Sequence, residues 1–403
     1  MGVACPIGRD AGELTTALRS SHSGVRRMPE WDVIADMKGR LGAVVTGIDL
    51  EMTIPAVCRR TMGRVSLLAA RATREALTRA ALGSSALGGG RAGVAYGSTS
   101  SSGESLADFC SRLLVEHTTR GIDPDAWLRF APHSTAGGLA RVFGLSGRIV
   151  PVSSACASGA QAVGLGFETI RAGLQDVMVC GGAEEMHSAT AAVFDVLMAT
   201  SAGYNARPSQ SPRPFDLRRD GLVVGEGAAT LVLESEAHAR SRGAGVLAEI
   251  LGFGTNCDGK HLTAPEREGM RDAMKLALNN ARLEPARIDY VNAHATGTEL
   301  GDIEESHATW SLFQRAVPIS SIKGATGHTL AACGAIEAVA CIAMLEQGFM
   351  AGTRNLDEVD PRCAPLGYVR EPRDATLEVV MSNNFAFGGI NSSLVIGRAV
   401  SAR

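Results

Sequence analysis

Two similar strand-to-helix segments constrain the fold of this chain more than any other feature. The first reads VPVSSACASG from Val150, and the second reads VPISSIKGATG from Val317. Each segment is an apolar strand that runs into a stretch of small residues, the pattern of a strand entering a buried helix. The repetition predicts two similar halves that pack against each other, with Lys323 at the place of Cys156.

Short apolar strands alternate with helical segments along the whole chain, which is typical of an α/β protein. The chain has 403 residues, 45% of them hydrophobic, which is enough for a large core and too long for one average domain. Gly159, Gly164 and Gly166 lie in the first of the small-residue helices, and each costs about 0.5–1 kcal/mol relative to alanine. We therefore expect this helix to lie at the centre of the molecule, where two backbones approach closely.

Charge and hydropathy exclude several classes of protein. The net charge is −3, and no run of basic residues exceeds a doublet such as Arg218-Arg219, which argues against a nucleic-acid-binding protein. No apolar run approaches the roughly 18–20 residues that span a bilayer. The N-terminal segment MGVACPIGRD lacks the pattern of a signal peptide. The sequence predicts a cytoplasmic protein without a membrane span.

The nine cysteines are scattered, and no CxxC pair occurs among them. This arrangement predicts neither a disulfide framework nor a zinc ribbon. Cys257 and His261 are four residues apart, but no further ligands lie beside them, so no metal site is predicted.

Cys156 lies at a turn between a strand and a helix, surrounded by small residues. The unpaired N–H groups and the dipole of a helix N-terminus favour a negative charge and lower the pKa of a thiol. Small neighbours leave room for a substrate carbonyl, and N–H groups of the turn could hold its oxyanion. The pattern favours a nucleophile that accepts an acyl group, although a buried cysteine at a tight junction would have the same neighbours.

Two histidines follow strands in the second half, His294 in AHATGTELGD and His328 after SSIKGATG. The carboxyl ends of parallel strands meet at one edge of a sheet, so both imidazoles could face Cys156, with Lys323 adding a positive charge. A cysteine hydrolase needs one imidazole and an orienting amide. Two imidazoles that donate to one carbonyl oxygen suit an enolate instead, as in a decarboxylating Claisen condensation.

Four segments resemble the β-ketoacyl-acyl carrier protein synthases of the elongating Cys-His-His branch. They are SSACASGAQAVG, NAHATGTELGD, SSIKGATGHTLAACGAIEA and MSNNFAFGGINSSLV, and the resemblance extends through PFDLRRDGLVVGEGAATLVLE to nearly the whole chain. It implies an α/β, thiolase-like fold of two duplicated halves in five layers, αβαβα. We divide the chain into residues 1–240, which carry the nucleophilic cysteine, and residues 241–403, which carry the two histidines and the phenylalanine loop.

The resemblance also implies roles for the polar residues of the site. Cys156 would be the nucleophile, and His294 and His328 would drive decarboxylation and stabilise the enolate. Lys323, with Glu337 as its partner, would organise the charge of the site.

Further roles implied by the resemblance concern substrate binding. Thr296 and Thr298 would hold phosphopantetheine through their hydroxyls. Phe387 would gate the site, and its N–H would form the oxyanion hole with that of Cys156. Phe385 would lie beside it in the same loop.

The implied reaction joins an acyl thioester on the cysteine to malonyl-acyl carrier protein and releases β-ketoacyl-acyl carrier protein. No cofactor is expected on the enzyme, because phosphopantetheine arrives on the acyl carrier protein. The expected assembly is a homodimer, or a heterodimer with a ketosynthase-like subunit.

Ala386 and Ile390 stand where the fatty-acid enzymes commonly have glycine and threonine. The pathway is therefore open between fatty-acid, type II polyketide and aryl polyene synthesis.

Other members of the superfamily remain alternatives. A partner subunit of the chain-length-factor type would typically lack Cys156. A degradative thiolase would carry a second cysteine where this chain reads NNFAFGGIN, and an initiating synthase with a Cys-His-Asn set would lack His328. Relatives usually begin with a strand of the type VVVTGxG, and this chain starts inside that motif, so its first strand is expected to be missing.

Overall fold

Two sheets, one in each half, organise the chain. A computed structural model describes residues 1–50 and 54–399. The strands of the first sheet are, in spatial order, Gly2–Ala4, Gly227–Glu234, Val177–Glu184, Ala92–Gly97 and Ile149–Val152. Those of the second sheet are Ala248–Cys257, Ile390–Arg398, Val379–Ala386, Tyr290–Asn292, Pro318–Ser320 and Gly367–Tyr368.

The two sheets share one topology over their first five strands. In each sheet the first two neighbouring pairs are antiparallel, and the next two pairs are parallel. The VPVSS and VPISS segments form the strands Ile149–Val152 and Pro318–Ser320, which hold the same place in the two sheets. The predicted duplication is confirmed.

Helices cover both sheets on the outside and fill the space between them. The outer helices are Arg64–Arg79 and Ser134–Phe143 on the first sheet, and Arg267–Ala281 and Glu299–Phe313 on the second. Between the sheets lie Ser158–Arg171, here named the cysteine helix, and Cys333–Gln347, here named the apolar helix. The order of layers is αβαβα, as predicted.

The remaining elements lie in the connections and at the edges. The other α-helices are Ala11–Arg19, Ala56–Arg59, Ser84–Leu87, Gly103–Cys110, Ala126–Phe130, Ser188–Val196, Glu236–Ser241 and Lys323–Thr326. Short turns of other helix types are Pro29–Trp31, Ser111–Val115, Pro208–Gln210, Pro285–Arg287 and Leu330–Ala332. Two small sheets consist of the strands Val25–Arg27, Leu41–Ala43 and Val224–Gly225, and of Phe349–Met350 and Arg373–Asp374.

The first strand, expected to be missing, is present. Gly2–Ala4 pairs antiparallel with Gly227–Glu234 at the edge of the first sheet. All three of its residues are buried, and the N–H of Val3 donates to the carboxylate of Glu75 at 3.0 Å. The expected loss of this strand was wrong, because the three buried residues Gly2–Ala4 are enough to form the edge strand of the first sheet.

The glycines of the cysteine helix make room for two kinds of neighbour. A Cβ at Gly159 would lie 2.6 Å from a backbone carbonyl oxygen just before the apolar helix, so two backbones meet there as expected. At Gly164 and Gly166 the Cβ would instead meet side chains, the ring of Phe253 at 2.4 Å and the sulfur of Cys180 at 2.1 Å. For these two glycines the expected backbone contact was wrong, because the space is taken by an aromatic ring and a thiol.

One helical segment, Leu330–Gln347, is long and apolar enough to span a membrane by length and composition. It has 18 residues, and 89% of the segment is buried inside the protein. Glu337 and Glu346 interrupt it, so its unbroken apolar runs stay shorter than the roughly 18–20 residues that span a bilayer. A helix packed between two sheets is apolar all round because it contacts other parts of the core on every side.

Candidate active site

Cys156 lies in the turn between the strand Ile149–Val152 and the cysteine helix. Ala155, directly before it, has a φ of +46°, a left-handed conformation that costs free energy for a residue with a side chain. The hydroxyl of Ser158 stabilises the turn by donating to the Ala155 carbonyl at 2.6 Å and accepting from the Ser154 N–H at 2.8 Å. The sequence thus holds the thiol in a strained but well-supported backbone.

His328 reaches the thiol from the other half of the chain. Its Nε2 lies 3.0 Å from the sulfur of Cys156, within hydrogen-bonding distance. Its backbone N–H donates to the Val223 carbonyl at 2.7 Å, and its carbonyl accepts from the Gly225 N–H at 2.8 Å. His328 lies in a loop before the apolar helix, and these backbone bonds fix its position.

His294 follows the strand Tyr290–Asn292, and its backbone N–H donates to Glu305 at 2.8 Å. Its ring centroid lies 5.2 Å from that of His328, with the two planes nearly perpendicular at 86°. One donor atom each from Cys156, His294 and His328 lies within 4.8 Å of the other two. The structure therefore brings together the three residues that the sequence selects.

A thiol and two imidazoles are also donors that Zn²⁺ takes in proteins, so this cluster could hold such an ion. Within residues 1–50 and 54–399 it is the one group of three such donors at this spacing. His261 and the exposed Cys257 are not part of it, and Nδ1 of His261 accepts backbone N–H groups instead. The absence of a catalytic metal stays a prediction.

Burial decides the charge state of the resting site. It raises the pKa of Cys156 to about 12, although the ammonium of Lys323 acts in the opposite direction. Burial also lowers the pKa of His294 and His328 well below the usual 6.5, and Lys323 adds to this effect. The resting groups are a neutral thiol and two neutral imidazoles. The thiol pKa expected from the helix N-terminus was wrong, because desolvation outweighs the dipole here.

Lys323 and Glu337 form an ion pair that is fully buried beneath the site. Burial lowers the pKa of Lys323, but the neighbouring Glu337 raises it, and the net direction is upward. The second carboxylate oxygen of Glu337 accepts from Asn384 at 2.7 Å. Neither member of the pair lines the cavity, so the ammonium acts on the site through its field.

A cavity of about 440 Å³ leads to the thiol, a volume suited to an extended small-molecule group. Seven of the residues selected from the sequence line it: Cys156, His294, Thr296, Thr298, His328, Phe385 and Phe387. The hydroxyl oxygens of Thr296 and Thr298 lie 3.1 Å apart on its wall.

The two phenylalanines lie at different depths. Phe385 is buried, with its ring centroid 6.4 Å from that of His294. Phe387 is 36% exposed and packs on Phe194 with centroids 5.9 Å apart. The gate and the oxyanion hole assigned to Phe387 stay predictions.

Two acidic residues that support the site were missed in the sequence. Asp302 accepts the backbone N–H of Thr296 at 3.1 Å and shapes the loop that carries the threonines, while Glu305 accepts the N–H of His294. Burial raises the pKa of Asp302 to about 6 and that of Glu305 to about 8. The available signal was their spacing of three residues in Glu299–Phe313, which places both on one helix face.

Asn384 was also missed, although it stands in one of the motifs. The strand Val379–Ala386 is buried along almost all its length and carries two adjacent asparagines, Asn383 and Asn384. A buried asparagine in a strand needs partners for its amide, and this was the signal for a polar network.

Comparison with known proteins assigns the family. Residues 1–239 match the family described as "Beta-ketoacyl synthase, N-terminal domain", and residues 247–357 match its C-terminal domain. The chain belongs to the β-ketoacyl synthase family. Its enzymes are acyltransferases, as the sequence predicts. The boundary at residues 240 and 241 stays a prediction.

Whole-chain relatives agree with this assignment. The enzyme is 34% identical to 3-oxoacyl-[acyl-carrier-protein] synthase 1 of Haemophilus influenzae over 98% of this chain and 97% of that protein. It is 36% identical to the tetracenomycin polyketide synthase ketoacyl synthase alpha subunit of Streptomyces glaucescens, over 100% and 97% of the two chains.

A solved structure, a β-ketoacyl synthase from Burkholderia phymatum, superimposes with a TM-score of 0.95 at 48% identity. The match covers 99% of this chain and 98% of that one. The predicted thiolase-like fold is confirmed.

Proposed function

We propose that the enzyme catalyses a decarboxylating Claisen condensation with Cys156 as the acyl carrier. Malonyl-acyl carrier protein loses CO₂, and the resulting carbanion attacks the acyl carbonyl on the cysteine. Cys156 leaves as a thiolate and takes up a proton, and β-ketoacyl-acyl carrier protein is the product. The observation that carries this proposal is the convergence of one sulfur and two imidazoles within 4.8 Å at the end of a cavity.

The first step is acyl transfer to the thiol. Because burial raises the pKa of Cys156 to about 12, a neighbouring base must take the proton as the sulfur attacks. Nε2 of His328 lies 3.0 Å away and is neutral, so it can accept that proton and pass it to the departing carrier thiol. The sulfur gains the acyl group, and the carrier leaves with its thiol protonated.

The second step is decarboxylation. As CO₂ leaves, negative charge develops on the thioester carbonyl oxygen, and donors already aimed at it lower the barrier. The neutral imidazole of His294 can donate one N–H to that oxygen. His328 can donate a second in its other neutral tautomer, with the proton on Nε2, the nitrogen that is bare while it acts as base. Their lowered pKa values keep them neutral, and the positive charge of Lys323 beneath them contributes to this.

The cavity wall supports binding of phosphopantetheine on the acyl carrier protein. The hydroxyls of Thr296 and Thr298 can pair with amide groups of the arm, and Phe387 at the rim can change position as the arm enters. The enzyme then needs no bound cofactor of its own. The relative from Haemophilus influenzae carries the acyl carrier protein in its name, which supports this partner.

We also propose a dimer formed at the edge strand Ile149–Val152. In the described part of the chain this strand ends the first sheet, and Ile149 is 46% exposed. An apolar edge strand is prone to pairing with another chain. A second copy of this chain or a ketosynthase-like subunit would pair with this strand through its backbone. The name "alpha subunit" of the polyketide relative supports the heterodimer as the second form.

The alternative is a chain-length-factor-like partner subunit without condensing activity. The intact and converged Cys156, His294 and His328 favour the active enzyme. The chain is almost equally identical to a 3-oxoacyl-[acyl-carrier-protein] synthase and to a polyketide ketoacyl synthase subunit. The pathway therefore stays open between fatty-acid, polyketide and aryl polyene synthesis. Ala386, which stands where the fatty-acid enzymes commonly have glycine, lines the cavity and therefore bears on the choice of pathway.

Mass spectrometry with acyl-carrier thioesters and malonyl carrier protein tests the function. The wild type should gain an acyl group on Cys156 and release condensed product. Cys156→Ala should lose acyl loading, while Cys156→Gln should retain decarboxylation of the malonyl thioester. Cys110→Ala serves as the matched control and should load normally.

Condensation at the wild-type rate by Cys156→Ala would exclude the nucleophile. A wild type that neither loads nor decarboxylates would favour the partner-subunit alternative.

A further inference from the structure

The buried amide of Asn384 links the ion pair beneath the site to His294. We infer that Asn384 is a positioning residue whose N–H holds His294 in the tautomer that carries its proton on Nε2. The use of that tautomer in decarboxylation rests on the proposed function, but the tautomer itself does not.

The orientation of the amide follows from its charged neighbour. Asn384 Nδ2 lies 2.7 Å from one carboxylate oxygen of Glu337, whose other oxygen bonds Lys323. A fully buried ammonium needs an ionised carboxylate to balance its charge. Because a carboxylate only accepts hydrogen bonds, the amide must turn its NH₂ group toward Glu337.

The second hydrogen of that NH₂ group has two acceptors within reach, an imidazole nitrogen and a thiol sulfur. Nδ1 of His294 lies 3.5 Å from Asn384 Nδ2, and the sulfur of Cys333 lies at 3.4 Å as a weaker acceptor. If Nδ1 carried the proton, two N–H groups would face each other in a buried site. The geometry therefore favours an unprotonated Nδ1 that accepts from the amide, with the proton on Nε2.

The tautomer matters because a neutral imidazole donates from one nitrogen only. Burial keeps His294 neutral, so its tautomer rather than its charge determines which nitrogen donates. Nδ1 faces Asn384, which leaves Nε2–H as the donor for a substrate oxygen in the cavity that His294 lines. Asn384 therefore supports the donor without contacting substrate in this arrangement.

Nitrogen-15 NMR of histidine-labelled enzyme tests the tautomer directly, because the two ring nitrogens differ strongly in shift when only one is protonated. Loss of signals in His294→Asn assigns the ring. The wild type should show a protonated Nε2 and an unprotonated Nδ1. A proton on Nδ1 in the wild type would overturn the inference without any need for a variant.

Variants then separate positioning from general packing. Asn384→Ala should give a mixture of tautomers, and Asn384→Asp, which places an acceptor opposite Nδ1, should move the proton to Nδ1. Asn383→Ala is the matched control, because the Asn383 amide bonds Ser393 and Met274 instead, and should leave the His294 signals unchanged. Cys333→Ala should also leave them unchanged. An unaltered spectrum in both Asn384 variants would refute the role of the amide.

The partial reactions give a second readout. Loss of one positioned donor typically costs about 10²–10³ in rate, so a partial loss in Asn384→Ala should slow malonyl decarboxylation by about tenfold. Acyl loading of Cys156, which uses His328, should stay within about twofold. Equal slowing of both steps would indicate a structural role only. A wild type with neither activity would refute the proposed function, while the NMR result would still decide the tautomer.

Discussion

Lys323 affects the thiol and the two imidazoles in complementary ways. Its positive charge lowers the pKa of Cys156 and also lowers the pKa of His294 and His328. A cation thus favours a thiolate during acyl transfer and neutral imidazoles during decarboxylation. Placing it below the cavity, paired with Glu337, lets it act on all three without contacting substrate.

The pH dependence of decarboxylation follows from the neutral histidines. Because the pKa of His294 and His328 lies well below 6.5, both stay neutral as the pH falls through that value. We expect CO₂ release by Cys156→Gln to stay nearly constant between about pH 8 and pH 6.5, and to decline only when the pH falls through the lowered pKa values. CO₂ release in matched buffers measures this, and a midpoint at or above 6.5 would contradict buried, neutral imidazoles.

The cysteine helix and the apolar helix meet through glycines on both sides. A Cβ at Gly159 would lie 2.6 Å from a backbone oxygen next to the apolar helix, and a Cβ at Gly334 would lie 2.7 Å from the backbone nitrogen of Ala160. This close approach joins the Cys156 turn of one half to the His328 loop of the other. The helix contact is thus part of what sets the sulfur-to-imidazole distance.

Alanine substitutions can test this contact. Gly159→Ala should lower the free energy of unfolding by about 1–3 kcal/mol, because the new methyl overpacks a backbone contact. Gly137→Ala, in the helix Ser134–Phe143 with open space around its Cβ, should instead stabilise by about 0.5–1 kcal/mol. Thermal unfolding compares the two variants with the wild type. A Gly159→Ala protein as stable as the wild type would show that the helices can separate freely.

The site exists only where the two halves of the molecule meet. Cys156 follows a strand of the first sheet, while His294 and His328 follow strands of the second. Duplication places the ends of equivalent strands at the interface between the halves. The first half contributes the thiol there, and the second half contributes the two imidazoles. Neither half alone contains the complete set of a thiol and two imidazoles.

Buried carboxyl groups make the stability of the whole fold depend on pH. Burial raises the pKa of Glu305 from 4.5 to about 8, so the native state holds its proton more tightly than the unfolded state. Its contribution to stability is full below pH 4.5 and is lost as the pH rises through about 8. Glu305→Gln cannot ionise, so its stability relative to the wild type should rise between pH 4.5 and about 8.

Melting temperatures across this pH range measure the effect. Glu236→Gln, at an exposed position, is the control and should follow the wild type at every pH. A constant difference between Glu305→Gln and the wild type would contradict a proton held by buried Glu305.

The sequence identifies the family, the duplicated α/β fold and the Cys156, His294 and His328 set, because turns, helix starts and apolar strands are encoded locally in contiguous motifs. The charge state of these groups, the amide contact of Asn384 and the carboxyl supports Asp302 and Glu305 could not be predicted in this way. They depend on desolvation and on contacts between segments far apart in the chain, which exist only once the two halves have packed together.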